Sequence, residues 1–188
     1  MKKFIKSNYL YTALFCEENI WHLTQSLIKQ GIESKDINIV FITNKDKQIA
    51  VFNQYAAAEN QAILWDYHVV LMVKIGHSPC IFDFDTRLPF VSSYENYLHN
   101  SFAENIDSKY SGIFRIIPAE MYLTQFYSDR SHMKGLISDN DFPKYPAILS
   151  NALTKIELKN LFDSESEIKD TSIFKNTRQL KIWIKQEF

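Results

Sequence analysis

The first strong pattern in the chain is an apolar stripe with three- and four-residue steps between residues 17 and 30. Its members are Ile20, Trp21, Leu23, Thr24, Leu27 and Ile28. That spacing predicts an amphipathic helix, because residues three and four positions apart share one helix face. Gly31 predicts where the helix ends, since glycine readily takes the left-handed conformation found after helix C-termini.

Runs rich in β-branched and aromatic residues predict five strands. They cover residues 38–43, 48–52, 62–74, 80–85 and 112–117. The polar residues 44–47 are typical of a turn and predict a hairpin of the first two strands. Residues 76–79, which include Gly76 and Pro79, predict a second turn, so that the third and fourth strands pair as well.

Helical patterns return after the strands. They cover residues 92–104, 119–127, 156–162 and 177–186, and a polar loop is predicted for 128–145. One helix, several strands in hairpin-like succession and then mixed helices indicate an α+β fold. We therefore expect an antiparallel sheet flanked by helices, while periodicity leaves the strand order open.

Chain length, net charge and cysteine content limit the kinds of protein that this sequence can encode. A chain of 188 residues suits one domain, and we expect a single catalytic domain over residues 1–188. The net charge of −1 gives no electrostatic reason to expect nucleic acid or an anionic membrane as a partner. Cys16 and Cys80 have no metal-binding spacing, although they could in principle form a disulfide; two cysteines in a chain of this size favour reduced thiols and a cytoplasmic location. We also expect a monomer.

Cys16 carries the first candidate chemistry, because it lies where an irregular segment becomes the first helix. Unpaired backbone N–H groups and the positive end of the helix dipole favour a thiolate there, so we expect a lowered pKa. The thiolate is the nucleophile of cysteine enzymes. The alternative is that Cys16 is a small, buried, apolar residue without a chemical role.

A histidine and several aspartates form the second candidate cluster. Residues two apart on a strand share a face, so Asp66 should point with His68, and Asp83 with Asp85. If the turn at 76–79 pairs these strands, Cys16, His68 and a carboxylate can meet as nucleophile, base and orienting group.

Other interpretations of these residues stay open. His68 could be a core histidine, and Asp83 and Asp85 could cap the following turn. The same three residues could instead bind Mn, Fe or Zn, but that would leave Cys16 without a role. We therefore expect no metal and no cofactor. His132, in the polar loop, is the rival base.

Four motifs in this order resemble the protein N-terminal glutamine amidohydrolase family. They are CEENIW at residues 16–21, WDYHVVL at 65–71, DFDTRLPF at 83–90 and SDRSHM at 128–133, and the resemblance covers about residues 9–148. It implies a papain- or transglutaminase-like fold and a triad of Cys16, His68 and Asp83. The implied reaction converts an N-terminal glutamine of a protein or peptide to glutamate with release of ammonia. In that family the product enters an N-terminal degradation pathway.

A substrate with a free N-terminus brings an α-ammonium, which requires an acidic or carbonyl acceptor. We expect Asp66, with Glu17, Glu18 and Asp129 as alternatives. The chain departs from the family at residues 169–175, where the family tends to have glycine, so preference for the residues after glutamine stays open. An alternative function is a bacterial effector-type deamidase or protease acting on an internal residue of a specific protein. A binding module without catalysis is a further alternative.

Overall fold

A computed structural model describes residues 3–76 and 78–187; His77, in the predicted second turn, lies outside them, as do residues 1, 2 and 188. A six-stranded sheet and helices on both of its faces form the core. The helices are α1 (Cys16–Lys29), α2 (Tyr94–Ser101), α3 (Ala119–Gln125), α4 (Leu158–Phe162) and α5 (Thr177–Glu187). The strands are β1 (Ile37–Thr43), β2 (Ile49–Phe52), β3 (Ala62–Trp65), β4 (Tyr67–Ile75), β5 (Ser78–Phe82), β6 (Val91–Ser93), β7 (Ile113–Pro118), β8 (Phe126–Tyr127), β9 (Ile156–Glu157) and β10 (Ser172–Phe174).

The large sheet has the strand order β10-β7-β1-β4-β5-β6, and every neighbouring pair is antiparallel. The central strands β1 and β4 pair over their length, from Ile37 opposite Val73 to Thr43 opposite Tyr67. The prediction of an antiparallel sheet flanked by helices is therefore confirmed. No helix among the described residues is long and apolar enough to cross a membrane.

Both faces of the central strands are buried, so their sequences are almost continuously apolar. On one face, Ile39 and Phe41 of β1 pack with the α1 stripe and with Tyr122 of α3. On the other face, Val40 and Ile42 join the apolar residues of α2 and α5. The alternation between the faces fixes the register, because a slip by one residue would exchange the two sets.

The predicted hairpin of residues 38–43 and 48–52 is wrong. β1 pairs with β4 and β7, whereas β2 pairs with β3 in a separate two-stranded sheet. Asn44 redirects the chain between them: its side-chain amide donates to the carbonyls of Gln48, Lys109 and Ser111. A local turn pattern cannot show that a turn residue is held by partners more than sixty positions away.

Several predicted boundaries also need correction. The long strand at 62–74 is broken at Asp66 into β3 and β4, which belong to different sheets. The strand at 80–85 ends at Phe82, and the helix at 92–104 is limited to Tyr94–Ser101, with Ser93 as its N-cap. The first helix is close to its prediction and starts at Cys16.

Candidate active site

A cavity of about 510 Å³ opens where the start of α1 meets β4. Its walls come from the segment before α1, the β3–β4 bend, the chain after β5, the 128–145 loop and α4. Residues that line it include Tyr11, Leu14, Cys16, Tyr55, Trp65, Asp66, His68, Asp85, His132, Leu136 and Phe162. Cys16 and His68, predicted from different motifs, thus lie at one cavity.

Cys16 is the first residue of α1 and is partly exposed. Phe15 before it provides no side-chain cap for the N–H groups of the first turn. The backbone N–H of Val69 is close enough to the Cys16 sulfur to favour its thiolate, which places the sulfur beside the residue that follows His68. The Asn19 side chain bonds both the N–H and the carbonyl of Thr12 and so fastens the preceding segment to α1.

The expected lowering of the Cys16 pKa is wrong in this structure. Burial raises the pKa of the thiol well above its ordinary value, and the charge of Glu17 adds to the rise. The Val69 N–H opposes these effects but does not outweigh them. A helix N-terminus stabilises a thiolate only through partial charges, whereas withdrawal from water and a full negative charge nearby act against it.

His68 is buried in β4, with its Nε2 atom 3.1 Å from Oδ2 of Asp83. The two groups are at ion-pair distance, although the orientation of the imidazole falls short of a well-aligned hydrogen bond. Burial alone would lower the pKa of His68, but the contact with Asp83 and the charge of Asp85 together outweigh burial and raise that pKa. The indole ring of Trp65 lies nearly parallel to the imidazole at 6.3 Å between centroids.

Asp83 is held by three donors in addition to its contact with His68. Gln54 Nε2 and the Tyr97 hydroxyl donate to Oδ2 at 3.0 and 2.8 Å, and the Asp85 N–H donates to Oδ1 at 2.8 Å. Burial would raise the pKa of Asp83, but His68 and these hydrogen bonds lower it. Asp83 is therefore an ionised, rigidly held carboxylate facing the imidazole. Sequence reasoning missed Gln54 and Tyr97, which no local pattern connects to Asp83.

Asp85 lies closer to the chemistry than its predicted role as a turn cap implied. It lines the cavity, and its Oδ1 accepts a hydrogen bond of 2.5 Å from the Tyr11 hydroxyl. Potential ligand atoms of His68, Asp83 and Asp85 lie within 4.8 Å of one another, the spacing that a metal site would need. Both oxygens of Asp83 already accept hydrogen bonds from protein donors, as expected for a carboxylate that orients His68.

The four acidic candidates for an α-ammonium are placed very differently. Asp66 is exposed at the β3–β4 bend and lines the cavity. Glu17 and Glu18 are fully buried in the first turn of α1. Asp129 is exposed, its carboxylate accepts from the Ser131 N–H in a turn, and it does not line the cavity. Of the four, only Asp66 lines the cavity.

The 128–145 loop is anchored to α1 by Arg130. Its guanidinium makes a bidentate contact with Glu18, at 2.9 Å from Nε to Oε1 and 2.7 Å from NH2 to Oε2. It also donates to the carbonyls of Pro143 and Pro146. This contact, missed from sequence, holds the loop over the first turn of α1, so His132 reaches the cavity wall.

Comparison with known proteins adds independent information. The sequence matches the family model described as N-terminal glutamine amidase over residues 11–183. It is 34% identical to a protein N-terminal glutamine amidohydrolase of Bos taurus over 165 residues, covering 85% of this chain and 79% of the relative. It is 37% identical to the Homo sapiens protein of that name over 145 residues, covering 74% and 71%. The Danio rerio protein of the same name is 35% identical over 147 residues, covering 74% and 72%.

Proposed function

Because the chain belongs to the N-terminal glutamine amidase family, we propose that it hydrolyses the side-chain amide of an N-terminal glutamine in a protein or peptide. The products are an N-terminal glutamate and ammonia. One structural observation carries the chemistry: Cys16 and His68 line the same cavity, and His68 contacts the buried Asp83. The family match favours this reaction over a deamidase or protease acting on an internal residue.

We propose Cys16 as the nucleophile. Its sulfur forms a bond to the carboxamide carbon, and the carbonyl electrons move onto the oxygen to give a tetrahedral oxyanion. Backbone N–H groups at the uncapped start of α1 are the donors best placed to stabilise that oxyanion. Because the thiol pKa is raised, Cys16 requires a base to remove its proton.

His68 is the proposed base and acid. It takes the thiol proton and then donates a proton to the departing nitrogen as the C–N bond breaks, which releases ammonia and leaves a thioester. Water that loses a proton to His68 then hydrolyses the thioester. Asp83 holds the imidazole in place and stabilises its protonated form, consistent with the raised pKa of His68.

The proposed reaction uses no metal or cofactor. The hydrogen bonds that occupy both oxygens of Asp83 support an orienting role for this carboxylate over a ligand role. We also propose a papain- or transglutaminase-like fold, because a helix that begins with cysteine packs against an antiparallel strand that carries histidine. Superposition on a solved enzyme of that fold checks this, since the three triad positions should coincide.

Residues 1–188 are proposed to act as one catalytic domain, since the family match spans residues 11–183. A cytoplasmic location agrees with two cysteines that form no disulfide. The monomeric state and entry of the product into a degradation pathway stay predictions.

We propose that Asp66 accepts the substrate α-ammonium, because it presents an exposed carboxylate at the cavity wall. Peptides that begin with Gln, Asn and acetyl-Gln test this anchor through the rate of ammonia release. Asn should react far more slowly: one methylene changes binding by about 1–3 kcal/mol, and misplacing the reacting carbon by ~1 Å adds about 10²-fold. Acetyl-Gln should also fail, because it lacks the charge that Asp66 would pair.

Two matched variants sharpen the test. Asp66→Asn should raise KM for the free-Gln peptide, whereas Asp129→Asn, which changes an exposed carboxylate outside the cavity, should not. If Asp85→Asn raised KM and Asp66→Asn did not, Asp85 would be the residue that binds the α-ammonium. Equal rates for acetyl-Gln and free Gln would refute the N-terminal assignment altogether.

A further inference from the structure

Glu17 is a buried carboxylate next to the nucleophile that the proposed mechanism leaves without a role. Its side chain is fully buried, and Oε2 accepts a long hydrogen bond, 3.7 Å, from the Cys16 thiol. The Tyr67 hydroxyl donates to the same oxygen at 2.9 Å, while the Tyr122 hydroxyl donates to the Glu17 backbone carbonyl. Burying a carboxyl group is costly, so a fold that keeps one beside a reactive thiol indicates a function for it.

The second oxygen of Glu17 faces His132. Oε1 is buried without a hydrogen-bond donor, and Nε2 of His132 is buried without an acceptor. These two atoms are 3.7 Å apart, which is beyond a hydrogen bond but within ion-pair distance. The Arg130–Glu18 contact holds the loop that brings His132 to this position. Two polar atoms without hydrogen-bond partners therefore lie close together beside the proposed nucleophile.

We propose that Glu17 and His132 form a second carboxyl–imidazole pair, which lies next to Cys16 and controls how readily its thiol loses a proton. The inference rests on the proposed function in taking Cys16 as the nucleophile. It assigns Glu17 and His132 as positioning residues, since they act on the reaction through Cys16. The pair is distinct from His68 and Asp83, which exchange protons with the reacting groups.

The charges around the pair give the direction of this control. Burial raises the pKa of Glu17 to about 7, while burial lowers the pKa of His132. As pH rises, Glu17 therefore ionises before Cys16, and its negative charge then opposes formation of the Cys16 thiolate.

Other titratable and charged groups surround both Glu17 and Cys16. Those that face Glu17 are Cys16 and Glu18 on α1, Tyr67 on β4, Tyr122 on α3, and Arg130 and His132 in the loop. Those that face Cys16 are Glu17, Tyr11, Tyr67, Tyr122, Asp83 and Asp85, with His68 at the same cavity.

The test measures the rate of Cys16 alkylation by iodoacetamide as a function of pH. It uses a Cys80→Ala background, so that Cys16 is the one cysteine left to react. Glu17→Gln keeps the size and the hydrogen-bonding oxygen but removes the charge. It should lower the midpoint of the alkylation profile by about one pH unit, the size of shift that one nearby like charge produces. Glu33→Gln, which removes an exposed charge that pairs with Lys35, is the matched control and should leave the midpoint unchanged.

A double-mutant cycle then tests the pairing with His132. His132→Gln should move the midpoint when Glu17 is present and leave it unmoved in the Glu17→Gln background. An unchanged midpoint in folded Glu17→Gln protein would overturn the inference, and so would equal effects of His132→Gln in both backgrounds. Near-UV circular dichroism establishes that each variant is folded. Alkylation requires no substrate turnover. Its result therefore tests the Glu17–His132 pair even if N-terminal glutamine is not the substrate.

Discussion

Replacing Cys16 with alanine should abolish ammonia release from peptides that begin with glutamine. Loss of the nucleophile removes the only covalent route to the thioester, and removing one member of a catalytic triad typically lowers the rate by about 10⁴-fold or more. The protein should still fold, because the change removes a single sulfur atom from the first residue of α1. Steady-state ammonia release and near-UV circular dichroism of the purified variant check both statements.

Cys80→Ala provides the matched control. Cys80 also is a free, half-buried thiol, and burial raises its pKa, but it lies in β5 and does not line the cavity. This variant should keep most of the activity. Full activity in Cys16→Ala, or equal losses in both variants, would show that the reaction does not proceed through a Cys16 thioester.

His68→Ala should cause a loss of similar size, about 10⁴-fold in kcat. Without the imidazole the thiol loses its proposed base, and the raised pKa of Cys16 keeps the thiol protonated at neutral pH. The loss should fall on kcat more than on KM, because His68 acts on the reacting atoms. Steady-state kinetics with a peptide that begins with glutamine separate the two parameters.

His132→Ala is the informative comparison, because His132 also lines the cavity. Its loss of activity should be far smaller, since its Nε2 atom faces Glu17 and its role is proposed to act through Cys16. A larger loss for His132→Ala than for His68→Ala would exchange the two roles and refute the proposed triad.

The sequence predicted best those features that depend on local periodicity. The α1 stripe placed Cys16 at a helix start, because burial of one helix face requires three- and four-residue steps. Similar reasoning brought His68, Asp83 and Asp85 to one place, although both aspartates lie beyond the end of β5. Their side chains meet because the chain bends after Phe82, which strand alternation does not describe.

What could not be predicted depends on partners distant in the chain. Arg130 and Glu18 are 112 positions apart, and Asp83 meets Gln54, which is 29 positions away and follows β2. The pKa of Cys16 was mispredicted for the same reason: the helix N-terminus is visible in the sequence, but burial and the orientation of the Glu17 carboxylate are not. The prediction of a β1–β2 hairpin failed because Asn44, between the two strands, is held by carbonyls near residue 110.

We propose that Cys16 deamidates glutamine only at a free N-terminus. The most direct test of this proposal uses a single peptide that carries one N-terminal and one internal glutamine and is incubated with enzyme in the presence of a chelator. Fragment mass spectrometry then locates the mass increase that conversion of amide to acid produces. We expect conversion of the N-terminal residue alone, and none with Cys16→Ala. Conversion of the internal glutamine, or a requirement for added metal, would contradict the account.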